Sequence, residues 1–353
     1  MNLLQEGAIT FESDGIFYNP RMKLNRDICV AMARSLDITD YLDALSASGI
    51  RGLRIAKEAN AEAVTLNDVS RQAYETILKN ISRNDAVNCE ASCNNANVLM
   101  HQRHFQAIDL DPFGTPSPYI SAGSRSALSY LFVTATDTAP LCGAHLKSGI
   151  RKYMATPLNT DYHPEMGARI LLGLAARELA RLDKSMEPML THATDHYVRI
   201  YLRVRKGAQS ADKCLENMGY VEHCTACGCF VCMEDLEFVE RCSACGCKTM
   251  LAGPLWLGRI QEASTIRQAV DSLDDGNARA LRLLETCASE VDTPLYYDHH
   301  NICERLKITP SKIDAVVDFL RSSGWKASRT HFSGIGIKTD ACITEVEDAI
   351  KSA

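Results

Sequence analysis

The sequence predicts an α/β fold: a mostly parallel sheet with helices on both faces, followed by a smaller α+β unit. Three observations carry this. Between residues 40 and 135, short apolar segments alternate with segments of helical periodicity. A cysteine-dense stretch with repeated C-x-x-C spacing follows at 224–247. From about residue 266 onward, helix and strand signals mix without that alternation. The 353 residues suffice for two domains. We expect one over 1–265, carrying a zinc-binding segment at about 221–253, and one over 266–353.

Hydrophobic residues make up 46% and charged residues 23%, an ordinary soluble composition. No apolar run approaches the length of a membrane span, so no membrane association is expected. The opening Met1-Asn-Leu-Leu-Gln-Glu-Gly has no basic stretch leading into an apolar one, so a cytoplasmic location is expected. The net charge of −6 does not announce a nucleic-acid partner, and any basic footprint must be local. Nothing points to an obligate protein partner.

Residues 1–25 hold short apolar stretches around Asn19-Pro20 and read as strands or loops. Ile28, Ala31, Met32 and Leu36 then mark one side of a helix over 24–36. Phe17 lies in the loop before it, either free there or packed into the core. A strand over 40–45 leads through Ser46-Ala-Ser-Gly-Ile-Arg-Gly52 into a helix ending near residue 60. A strand over 63–66 ends in Asn67-Asp68, and a helix over 70–84 follows, with Tyr74, Ile77, Leu78 and Ile81 at helical spacing. A third strand near 87–92 ends in Asn94-Asn95-Ala96-Asn97. The stretch up to Ile108 forms the fourth, and 131–135 the fifth. A broad apolar helix occupies 164–182. In 197–205 apolar residues alternate with Tyr197, Arg199, Tyr201, Arg203 and Arg205. That second face is either a solvated strand face or a surface for RNA phosphates and bases. In the tail, Thr309-Pro310 reads as a helix start, and 325–330 with 334–339 as a hairpin. The unit resembles a helix with a wing. Its Arg321, Lys326, Arg329, His331 and Lys338 are expected to grip RNA backbone.

Chemistry concentrates at strand ends. Ile-Asp-Leu-Asp-Pro-Phe-Gly-Thr-Pro, 108–116, closes the fourth strand, because Pro112, Gly114 and Pro116 forbid its continuation. Ligands in open α/β sheets bind at this end. Asp111-Pro112-Phe113 supplies an acceptor carboxylate, a stiffened turn and an aromatic face, as a planar base with an exocyclic amine requires. A turn aspartate that caps backbone amides is the competing assignment. The loop Asp43-Ala-Leu-Ser-Ala-Ser-Gly-Ile-Arg-Gly52 lets a nucleoside approach the backbone. Asp68, after the next strand, can accept ribose hydroxyls, and Asn95-Ala96 can meet an adenine edge. The loop lacks the G-x-G-x-x-G of a pyrophosphate site, and a full helix precedes the first strand. Both points favour S-adenosylmethionine. Arg26 and Arg51 either hold its carboxylate or form surface ion pairs.

Fifteen cysteines, an odd number without an export signal, argue against a disulfide framework. Cys224-Thr-Ala-Cys-Gly-Cys229 and Cys242-Ser-Ala-Cys-Gly-Cys247 are near copies. They predict one closed, structural zinc site on Cys224, Cys227, Cys242 and Cys245, with Cys229, Cys232 and Cys247 as spare or alternative thiols. Redox C-x-x-C chemistry is the competing assignment. His299 and His300 read as ordinary surface or core histidines.

Taken together, 17–27 (Phe-Tyr-Asn-Pro-Arg-Met-Lys-Leu-Asn-Arg-Asp), the 43–52 loop, Asn67-Asp68 and Asp109-Leu-Asp-Pro-Phe-Gly114 resemble the tRNA guanine-26 N2-dimethyltransferases in their archaeal form. His163-Pro-Glu-Met-Gly-Ala-Arg-Ile-Leu-Leu-Gly173 and Asp195-His-Tyr-Val-Arg199 extend the likeness. It covers roughly 1–260 well and the tail loosely. The resemblance implies a class I, Rossmann-like S-adenosylmethionine-dependent methyltransferase domain acting on tRNA. It implies donor binding by Arg26, Arg51, Asp68, Asn95 and Ala96, base handling by Asp111, and a clasp of Phe17 and Phe113. Asn94-Asn95 departs from the acidic residue expected beside the alanine. Two rivals remain. One is an amino-methyltransferase of the same fold acting on rRNA or DNA adenine, disfavoured by Gly114 where an aromatic or second proline belongs. The other is a non-catalytic zinc-ribbon RNA-binding protein, disfavoured by the presence of both Asp68 and Asp111.

Overall fold

The computed structural model describes residues 3–13, 15–236, 239–274 and 276–353. The chain opens with an antiparallel hairpin, β1 (Leu3–Glu6) and β2 (Ile9–Glu12). Asn19 caps the short turn Pro20–Met22, and α1 (Lys23–Ser35) follows. Strands and helices then alternate as β3 (Asp40–Asp43), α2 (Ile50–Glu58), β4 (Ala63–Asn67), α3 (Arg71–Arg83), β5 (Cys89–Ser92), α4 (Ala96–Gln102), β6 (Phe105–Leu110), α5 (Ser117–Ser126) and β7 (Ala127–Ala135). Helices α6 (Thr138–Leu141), α7 (Leu146–Tyr153) and α8 (His163–Ala180) lead to the long hairpin β8 (Lys184–Thr194) and β9 (Tyr197–Lys206), then α9 (Ala208–Leu215).

These strands form one seven-stranded sheet in the order β5-β4-β3-β6-β7-β9-β8. β3 to β7 run parallel, and β9 and β8 are antiparallel additions. The order reverses between β3 and β6, the switch point where such sheets bind ligands. Asp43 and Asp109 are register partners there. Alternate residues feed two cores. Leu42, Ile108, Leu131, Val133, Ile200 and Leu202 pack with α5 and α8. Tyr41, Ala107, Phe132 and Tyr201 pack with α1, α2 and two later helices.

Of the polar face read in 197–205, only Arg203 and Arg205 at the end of β9 stay near solvent, both paired to Glu187; β9 corrects both readings for the other three residues. Tyr197, Arg199 and Tyr201 are neither solvated nor free for RNA; they are buried between β7 and β8 with helices on both sides. The sequence also hid β8, whose Pro188 breaks the strand pattern. On the sheet edge that proline costs no interior hydrogen bond, and the register shifts beside it. At the start of β8 the buried Lys184 ammonium donates to the carbonyls of Ser124, Arg125 and Ala127 at 2.7–3.0 Å. Asp109, read as lying at a strand terminus, is inside β6 and fully buried.

β10 (Met218–His223), β11 (Phe230–Met233) and β12 (Met250–Trp256) form a separate three-stranded sheet carrying the cysteine knuckles. Then α10 (Ala263–Asp271) and α11 (Ala278–Ser289) lie against the sheet core through Ile266, Ala269, Ala280, Leu284 and Cys287. The tail holds β13 (Tyr297–Asp298), α12 (His299–Leu306), α13 (Ile313–Ser322), β14 (Ala327–Arg329), β15 (Gly336–Thr339) and α14 (Ile343–Ser352). β14 and β15 form the expected hairpin, joined by β13. The helix expected at Thr309-Pro310 begins at Ile313, three residues beyond the proline. His299 opens α12 as a buried residue.

Candidate active site and metal centre

The loop after β6 is held by its neighbour. Gly114 donates its N–H to Thr136 Oγ1 at 2.8 Å, and its carbonyl accepts from Thr136 N at 3.0 Å. Gly114 has φ of 87°, a turn geometry that a side chain resists. The result fixes Asp111 at the mouth of β6 and leaves Phe113 88% exposed. Phe17, 61% exposed, meets it edge to face with ring centroids 5.7 Å apart. Phe17 is thus free in its loop and not a core residue.

These residues border one cavity of about 670 Å³, a size suited to a cofactor-sized ligand. Phe17, Arg26, Arg51, Asp68, Asp111 and Phe113 all line it, with Asp43 and the 45–48 backbone along its floor. Asp68 braces that loop: Oδ2 accepts from Ala47 N and Oδ1 from Ser70 N, both at 2.9 Å. Arg51 is buried, with Nη2 paired to Asp111 and Nη1 3.7 Å from Asp109. Nη1 has no hydrogen-bond partner among the described residues, an unused buried donor beside the cavity. Arg26 is not a surface ion pair. It makes a buried two-pronged contact to Glu6 at 2.6 Å on each arm. Burial would raise the Glu6 carboxyl, but Arg26 and Arg54 outweigh it and bring it down to about 2.

Asn95 and Ala96 stand apart from the cavity lining. Asn95 caps α4, accepting from Asn97 N and Val98 N, and Ala96 is buried in the first turn.

Sequence reasoning missed two groups. Asp43 was visible in its motif but not assigned. Burial, with Asp109 beside it, pushes its carboxyl up to about 7. Glu6 sits in a hairpin with no chemical signature, so nothing in the sequence marked it.

The knuckles are matched turns. Gly228 N donates to Cys224 O and Gly246 N to Cys242 O, each at 2.8 Å, with glycine φ of 75° and 72°. Each glycine lets the chain wrap back past its two cysteines. The thiols of Cys224, Cys227, Cys242 and Cys245 all lie within 4.8 Å of one another. Cys224 to Cys245 and Cys227 to Cys242 are both 3.5 Å. Tetrahedral zinc with Zn–S of ~2.3 Å sets its sulfurs about 3.8 Å apart, so the set fits that ion. Burial raises the Cys224 and Cys227 thiols. It acts on Cys242 too, but the N–H groups of Cys245 and Ala244 outweigh it and bring that thiol down to about 7. A bound cation would favour the thiolate at all four. Cys229, Cys232 and Cys247 lie outside this quartet. The knuckles pack into the tail unit: Phe230 stacks on Tyr297 at 4.6 Å, and Arg305 donates to the Cys227 carbonyl.

Comparison with known proteins agrees with this geometry. A family model described as N2,N2-dimethylguanosine tRNA methyltransferase matches residues 2–351. A tRNA (guanine(26)-N(2))-dimethyltransferase of Methanosarcina mazei is 48% identical over 354 residues, covering 95% of this chain and 91% of its own. One from Methanosarcina barkeri is 45% identical over 356 residues, covering 96% and 92%. Trm1 from Pyrococcus horikoshii, solved in complex with S-adenosyl-L-methionine, is 37% identical with a TM-score of 0.92, covering 99% of this chain and all of its own. With the whole of its α/β sheet, its knuckles and its tail inside that match, the chain belongs to the N2,N2-dimethylguanosine tRNA methyltransferase family.

Proposed function

We propose that this chain methylates the exocyclic N2 of guanine 26 in tRNA, once or twice, with S-adenosylmethionine as donor. One observation carries the reading: Asp111, Phe113 and Phe17 converge at the mouth of the cavity whose floor is the 43–52 loop and Asp68. The donor supplies an electrophilic methyl group. Asp68 accepts its ribose hydroxyls with the lone pairs left by Ala47 and Ser70. The unused Nη1 of Arg51 is the donor group for a carboxylate. Arg26, committed to Glu6, borders the same end. Asn95 and Ala96 shape the adenine side through the α4 cap without lining the cavity.

The guanine amine is a weak nucleophile because its lone pair is delocalised into the ring. Asp111 orients that pair and accepts the departing proton. Phe113 and Phe17 hold the base by stacking, at ~1–3 kcal/mol per base. Cys224, Cys227, Cys242 and Cys245 would hold a zinc ion with four thiolates, which would leave no site for substrate and give it a structural role. Arg321 at the end of α13, Lys326 just before β14 and Arg329 on β14 are exposed cations for tRNA backbone, with Arg321 near Asp318 and Arg329 paired to Asp314, whereas Lys338 is buried and His331 contacts Glu290.

The test is nucleoside mass spectrometry of tRNA, and separately of rRNA, after incubation with the protein and donor. Mono- and dimethylguanosine should appear in tRNA alone. Asp111→Asn should lower turnover by at least ~100-fold while donor affinity holds. Product in rRNA only, or none at all, overturns the reading.

A further inference from the structure

Behind Asp111 lies a chain of buried charge that its chemistry does not require. Arg199 on β9 grips Asp109 with both arms, Nη1 to Oδ1 at 2.8 Å and Nη2 to Oδ2 at 2.5 Å. Tyr41 OH donates to the same carboxylate at 2.7 Å, and Arg199 Nη1 reaches Thr134 Oγ1 at 2.7 Å. The guanidinium lies over the Tyr201 ring at 4.8 Å and both partners are fully buried. Asp109 then faces Arg51, and Arg51 holds Asp111. Burial would raise the Asp109 carboxyl, but Arg199 and Arg51 hold it far below the carboxylate range.

Stability does not explain this pair. Desolvating two charges costs about what their attraction returns, and apolar residues of like volume pack such a site as well. The pair is also imperfectly satisfied: Arg199 Nε and Tyr201 OH find no partner among the described residues. What the pair does provide is a fixed negative charge two residues from Asp111, aimed at the arginine that holds it.

We infer that Asp109 and Arg199 are positioning residues: Arg199 fixes Asp109, Asp109 orients Arg51, and Arg51 sets the Asp111 carboxylate at the cavity mouth. This rests on the reading of Asp111 as the group that handles the guanine amine. Misplacing a reacting group by about 1 Å costs on the order of 100-fold in rate.

The experiment compares Asp109→Asn, Arg199→Lys and the double variant Asp109→Asn with Arg199→Gln. Turnover and KM for donor and tRNA are measured alongside Tm. Asp109→Asn should lose about 100-fold in kcat with KM for tRNA within about threefold, while KM for the donor rises because the displaced Arg51 also faces the donor's carboxylate. Arg199→Lys should fall between, since an ammonium cannot span both carboxylate oxygens. The double variant removes both buried charges, so it should recover Tm while kcat stays low. Recovery of kcat together with Tm would mean that the pair only holds the fold, and overturns the inference. A crystal structure of Asp109→Asn gives a reading independent of activity. Arg51 should leave its contact with Asp111, and an unmoved Arg51 overturns the inference whether or not tRNA proves to be the substrate. A wild-type chain inactive on tRNA, with Arg51 displaced in that variant, defeats the substrate reading alone.

Discussion

Asp43 and Asp109 face each other across the β3–β6 switch point, yet their carboxyls move in opposite directions. Asp109 has Arg199 in full contact. Asp43 has burial and Asp109 against it, with Gly52 N donating to its Oδ2 at 3.1 Å. Its carboxyl titrates at about 7 in the fold against an ordinary 3.8. The folded chain therefore binds a proton at intermediate pH that the unfolded chain has lost. This contribution to stability is complete below pH 3.8 and disappears as pH rises through 7. Asp43→Asn keeps an acceptor for Gly52 and removes the titration. Its Tm relative to wild type should rise steadily from pH 5 to pH 8, and a pH-independent difference would show that Asp43 is ionised throughout. The places of Asp111 and Asp68 at the cavity were legible from sequence because each follows the end of an apolar strand, marked at Asp111 by Pro112 and Gly114. Arg199 was not: a period-2 pattern gives the two faces of a strand but says nothing about which of them another layer covers.

At the scale of elements, β3, β4 and β6 were readable because each is short and apolar, whereas β5, Cys-Glu-Ala-Ser, was read from its place in the alternation and β7 begins four residues before the expected 131. β8 was not readable, because Glu187 and Pro188 interrupt it and only the edge position makes that tolerable. The start of α13 was displaced because Lys312, extended as the N-cap, separates Thr309-Pro310 from the apolar face that begins at Ile313. The knuckles were fully readable, since metal ligation is written in spacing alone. Elemental analysis of protein purified without chelator should find one zinc per chain, and Cys242→Ser should release it and lower Tm. Retained zinc in that variant would move a ligand role to Cys229 or Cys247.

The whole molecule is tied together through one buried charge cluster. Glu165 on α8 accepts from Arg169 Nε at 2.9 Å, from Leu295 N at 2.9 Å and from Lys338 Nζ at 2.8 Å. Lys338 comes from the tail hairpin, 3.8 Å from Glu290, which also contacts His331 at 2.6 Å. Lys338 and Glu165 are almost completely buried. Lys338→Met leaves two buried carboxylates short of a cation and should cost about 3–5 kcal/mol in chemical denaturation. A loss below ~1 kcal/mol would mean that the tail docks by apolar contact alone. None of this was visible in sequence, where Lys338 counted as one more tail cation for RNA.

The aromatic pair at the cavity rim has a geometric corollary. Sandwiching a planar base needs two parallel plates about 7 Å apart, twice a carbon contact of ~3.5 Å. Phe17 and Phe113 stand 5.7 Å apart at 77°. The proposed clasp is therefore shut, and one jaw must pivot before a nucleotide enters. Both backbones are anchored, Phe113 through Gly114 and Thr136 and Phe17 through Tyr18 and Asn19, so the opening is a side-chain rotation of one exposed ring.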